Sequence, residues 1–182
     1  MASGPAGRLE QQLQLLLGAY GYNYYSSTNQ ARSDDLLVRE RAGAALSVAA
    51  DRMGVLRGRY QERFVPPLTA ENPLPPPEPM AQLRAMQHLQ QALSALGSTI
   101  RSLTAPGQDR IWARIRDETA TLERLLEFDL GLVGSGEQLR DRVLALTAES
   151  WQAGTGAEIE DGVDRLHELA RQREALLSIY PS

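Results

Sequence analysis

Cysteine and lysine are both missing from this 182-residue chain. Without cysteine there is no disulfide, no thiolate nucleophile and no zinc–thiolate site. Without lysine there is no Schiff base, no P-loop lysine and no lysine modification. All nineteen cationic side chains are therefore arginine, which favours bidentate pairing and stacking over point-charge contacts. Together with abundant Ala, Leu, Gly and Gln, that usage points to a GC-rich bacterial genome. Long apolar runs are lacking too, and nothing approaches the roughly 18 residues needed to span a bilayer. Near the start, Leu13 and Leu15 to Leu17 are interrupted by Glu10, Gln11, Gln12 and Gln14, so no signal-peptide core is expected. The reading is a cytoplasmic protein with no membrane partner.

Aromatics are scarce at 5% of the chain, yet four of the six tyrosines fall in Tyr20-Gly21-Tyr22-Asn23-Tyr24-Tyr25. Clustered Tyr supplies rigid contact area with a polar tip, which suits a recognition surface or a ligand wall.

The remaining composition, 42% hydrophobic and 23% charged, is that of an ordinary globular protein with a core to bury. Net charge is −4, but it is unevenly placed. Residues 32–64 hold seven Arg against five acids, whereas residues 107–182 hold nine Arg against fifteen acids. These regions are expected to attract one another within the fold.

Hydrophobic spacing is helical from end to end. A first helix is expected from Arg8 to Tyr25, with Leu9, Leu13, Leu16, Leu17, Tyr20 and Tyr24 on one face. Tyr22 and Tyr25 point away from that face, which leaves them, with Asn23, as recognition candidates. Ser26-Ser27-Thr28-Asn29 reads as a break, and Ser33 as the N-cap of a second helix reaching Phe64. The apolar face of that helix is Ala42, Ala45, Leu46, Ala49, Met53, Leu56, Tyr60 and Phe64. Arg41, Arg52, Arg59 and Arg63 line one edge, and Arg39 and Arg57 the other.

Pro66 to Pro79 contains seven of the ten prolines and reads as a semi-rigid linker of polyproline character. A third helix is expected from near Pro79 to Leu103, with Met86, Leu89, Leu93, Leu96, Ile100 and Leu103 as its seam. A fourth, from Asp109 to Val133, should stop at Gly134-Ser135-Gly136. Capping boxes at Ser135/Gln138 and Thr155/Glu158 are expected to open a fifth and a sixth. Along the last helix Ile159, Val163, Leu166, Ala170, Arg173, Leu177 and Tyr180 repeat at 4-3-4-3-4-3. Arg173 alone breaks that apolar seam, so it must reach solvent or meet a carboxylate.

Chemistry-bearing constellations are thin. A ferritin-like di-iron site needs paired Glu-x-x-His motifs, and the two histidines, His88 and His167, lie in no such motif. There is no Gly-x-Ser-x-Gly elbow and no phosphate-cradling glycine loop. The acids and arginines from Arg114 to Asp129 read as surface ion pairs. No catalytic, metal or cofactor residue is assigned.

The fold expected is all-α, an antiparallel bundle of five or six helices. Residues 1–65 form an N-terminal hairpin, 66–79 the Pro-rich linker, and 80–182 a four-helix segment packed with the hairpin. The function expected is a non-enzymatic protein–protein interaction module: an adaptor, chaperone-like subunit or small scaffold, binding another protein or a second copy of itself. Its candidate contacts are Tyr22, Asn23, Tyr25, Arg41, Arg52, Arg59 and Arg63. The alternatives are a small-molecule-binding or catalytic bundle with a Tyr-lined pocket and, less favoured, nucleic-acid binding through the Arg-flanked helix. That last reading is weakened by Glu40, Asp51 and Glu62, which blunt the positive field.

Overall fold

A computed structural model describes residues 28–70, 73–103 and 118–178, and the structural statements below concern these. They form five helices packed together, with no strand among them: α1 (Thr28–Phe64), α2 (Pro77–Ser102), α3 (Glu118–Ala145), α4 (Ala148–Gln152) and α5 (Gly156–Ser178). The expected helix over Arg8–Tyr25 lies outside the described residues.

Helix α1 buries Ala42, Leu46, Ala49, Met53, Leu56 and Tyr60, the face its 3.6-residue period sets apart. It ends where Pro66 and Pro67 remove backbone donors. Its start differs from expectation: the helix already includes Thr28 and runs through Ser33, so Ser33 is no N-cap. Ser and Asn cost only a few tenths of a kcal/mol more than the best helix formers, and the packed turns that follow carry the helix across them.

Pro77 occupies the first turn of α2, after Pro76 in an extended conformation (φ −63°, ψ 132°). All six expected seam residues from Met86 to Leu103 are buried. At its far end, Leu103 bends away with its N–H donating to the Ile100 carbonyl at 3.3 Å. Buried Arg39 then donates from Nη1 to the carbonyls of Arg101, at 3.1 Å, and Leu103. A cation thus sits on the negative end of the helix dipole.

The largest correction concerns Gly134-Ser135-Gly136. This segment does not stop a helix, and Ser135 caps nothing, because α3 passes straight through it. Gly134 and Gly136 are both buried, and a Cβ on Gly136 would lie 3.6 Å from the Ala42 carbonyl oxygen. Gly136 thus stands within van der Waals reach of the small-residue stretch of α1, and packing there outweighs the roughly 1 kcal/mol of helix propensity that a glycine loses.

The real break comes after Ala145. The Ser150 N–H donates to Thr147 Oγ1 at 3.1 Å and the Thr147 N–H to Ser150 Oγ at 3.0 Å, a reciprocal cap that opens α4. Gly154 then turns the chain with φ 99°, a left-handed value that favours glycine. Helix α5 starts at Gly156, immediately after Thr155 as expected, although the Thr155 hydroxyl donates to the Ser150 carbonyl at 2.8 Å. Trp151 is buried at this corner, its Nε1–H donating to Gln82 Oε1 at 2.9 Å. The Tyr60 hydroxyl donates to Gln152 Oε1.

Leu132, Leu139 and Val143 of α3 meet Ile159, Val163 and Leu166 of α5 in the same core. Each such side chain contributes about 1.5–3 kcal/mol through removal from water.

Candidate interaction surface

The outer face of α1 breaks the usual division between a buried and a solvated side. Leu37, Val48 and Val55 are 54%, 45% and 49% exposed, and Ala44 between them is exposed as well. At 100° per residue the four fall within an arc of about 40°. Over about 27 Å of helix they make a narrow apolar strip directed away from the core. The spacing of 11 and 7 residues was readable in the sequence. The denser stripe from Ala42 to Tyr60 on the other side of α1 dominates the helical period and masks it.

Charge borders the strip. Arg41 meets Glu137 of α3, with its Nε and Nη2 both 2.7 Å from Oε1. Arg52 directs Nη2 toward the Leu146 carbonyl at 3.5 Å, and Arg63 lies 3.8 Å from Glu149. Arg59 is exposed. Two of the four candidate arginines, Arg41 and Arg63, therefore face carboxylates of α3 and α4, which reduces the uncompensated charge a phosphate backbone would need. Of the opposite row, Arg39 holds the end of α2. Tyr22, Asn23 and Tyr25 lie outside the described residues.

Arg173 does meet a carboxylate, on another helix. Its Nε donates to Asp129 Oδ1 at 2.8 Å, with side chains 0% and 2% exposed. The pair ties α5 to α3 inside the apolar seam, where neither charge is tolerable alone.

A shallow cleft of about 300 Å³ lies beside the end of α2 and the middle of α5, lined by Thr99, Leu103, Asp164, His167, Glu168 and Glu174 among others. Glu168 is drawn below the ordinary carboxylate range, first by its hydrogen bond from Arg171 and then by that from Gln172. No tyrosine lines the cleft. Among the described residues, no group of three His, Asp or Glu side chains is placed to hold a metal ion. None of their helices is long and apolar enough to cross a membrane.

Comparison with protein-family models, with curated proteins and with solved structures found no match to this chain.

Proposed function

We propose that the chain is a non-enzymatic protein–protein interaction module, an adaptor, chaperone-like subunit or small scaffold, which meets its partner through the outer face of α1. The observation that carries this reading is the exposed strip of Leu37, Ala44, Val48 and Val55 on a helix whose opposite face is already buried. Covering such a strip removes apolar area from water, and the flanking charges set the register of what covers it.

Behind that surface we read an antiparallel bundle. A Cβ on Gly97 would lie 3.4 Å from the Gly43 carbonyl, and one on Gly54 would lie 3.0 Å from Gln90. Numbers thus rise along α1 as they fall along α2. Arg173 with Asp129, and Gly131 beside Leu169, support the same sense for α3 and α5. Gly136 beside Ala42 and Arg52 beside Leu146 support a parallel course for α1 and α3. Such a frame presents α1 along the whole of one side.

The test is site-specific photocrosslinking of the full chain in its native cell. A photoreactive residue at position 48 or 55 is expected to give a discrete crosslinked protein, and one at exposed His88 of α2 to give none. Equal yields at the three positions, or no product at any, reject the proposal.

A further inference from the structure

The apolar strip on the outer face of α1 has edges of opposite charge. Taking Leu37 and Val55 as its midline, Glu40 and Asp51 lie about 60° and 40° to one side, at 100° per residue. Arg41, Arg52 and Arg59 lie about 40–60° to the other. The body repeats this order. Glu40 lies 3.5 Å from Arg101 of α2, whereas Arg41 meets Glu137 of α3 and Arg52 turns toward Leu146 just beyond it. Part of this charge is unsatisfied within the chain. Asp51 and Arg59 are exposed and have no ion-pair partner among the described residues. Arg52 faces a carbonyl at 3.5 Å but no carboxylate among the described residues, and its Nε is buried without a hydrogen-bond partner.

We infer that the strip is the interface of a parallel two-fold dimer, in which α1 lies in register along α1 of a second copy of this chain. A two-fold axis relates two helices packed face to face in one of two ways. An axis across them makes them antiparallel and sets like edges together, acid on acid and arginine on arginine. An axis along them makes them parallel and sets the acidic edge of each copy against the arginine edge of the other. Only the second arrangement is self-complementary. Leu37, Ala44, Val48 and Val55 then meet their own counterparts in layers 7, 4 and 7 residues apart, spacings that a coiled-coil seam uses. Asp51 falls beside Arg52 of the second copy, and Glu40 beside its Arg41, which fixes the register. Four apolar side chains per copy make a small contact, so the dimer is a weak one. This inference rests on the outer face of α1 being an interaction surface, and it names what covers that surface.

The chain has no cysteine, so single substitutions report the contact directly. With Val48→Cys or Val55→Cys, mild oxidation of the full chain is expected to give a disulfide dimer through the same residue of each copy. His88→Cys on α2 should stay monomeric under the same conditions. In an equal mixture of Leu37→Cys and Val55→Cys, each should form its own dimer. A mixed 37–55 disulfide as the main product means antiparallel helices and overturns the inference. Sedimentation of the cysteine-free chain should show reversible dimers, weakened at least about tenfold by Asp51→Arg and restored when Arg52→Asp is added. Neither change enters the apolar core, and helical circular dichroism checks the fold. A monomer at every concentration up to about 1 mM, or a dimer indifferent to Asp51→Arg, also overturns the inference. If position 48 meanwhile crosslinks a different protein in the cell, the interaction surface stands and the second copy alone is rejected.

Discussion

Arg173 and Asp129 stand in the α3–α5 seam as a charge pair that apolar packing would have filled with two more leucines. A buried pair of this kind does little for net stability while complete and costs heavily when halved. Asp129→Ala should lower the unfolding free energy by about 3–5 kcal/mol, read from the urea midpoint. The double change Arg173→Met with Asp129→Leu should recover most of that loss, because neither charge then remains buried. Tyr60 gives a second prediction at this scale. Burial, and then the nearby Glu78 carboxylate, raise its hydroxyl above the ordinary value of 10.0. The folded chain therefore holds this proton at pH values where the unfolded chain has released it. Its stabilisation is complete below about pH 10 and is lost as the pH rises through the folded value. In Tyr60→Phe that alkaline fall in stability should flatten, at the cost of the bond to Gln152, worth about 1 kcal/mol.

Helices show where the sequence was legible and where it was not. The seams of α1, α2 and α5 follow from spacing, because a side chain every three or four residues has only one face to occupy. Arg173 was conspicuous for the same reason, as the one charge in an apolar register. Gly134-Ser135-Gly136 misled because glycine's meaning is tertiary: it ends a helix facing water and continues one facing a close neighbour. Nothing local distinguishes the two cases, since the deciding atoms belong to Ala42, more than ninety residues away. The cap at Thr147 was hidden because Ser150, rather than Glu or Gln, completes it. Two substitutions separate these roles of glycine. A Cβ on Gly58 meets nothing within 4 Å, so Gly58→Ala should raise stability by about 0.5–1 kcal/mol through helix propensity alone. Gly136→Leu should lower it by about 1–3 kcal/mol or more, by forcing α3 away from α1. Both are measured by thermal or denaturant unfolding.

At the scale of the molecule, α1 is a partition with packing on one side and an apolar strip on the other. The two sides answer to different experiments. Val48→Asp with Val55→Asp should change unfolding free energy by less than about 0.5 kcal/mol, since both side chains are already wet. The same pair should abolish crosslinking from the neighbouring Leu37 position. A large loss of stability would instead mean that the strip belongs to the core. Trp151, wedged between Gln82 and Gly156 where α2, α4 and α5 meet, gives this protein an internal lamp. With Trp112 replaced by Phe, Trp151 becomes the sole tryptophan, and under excitation that tyrosine does not absorb its colour reports whether that corner is dry. A red shift at denaturant concentrations below the loss of helical circular dichroism would show the corner opening as a separate step, and coincident transitions would show the helices parting together.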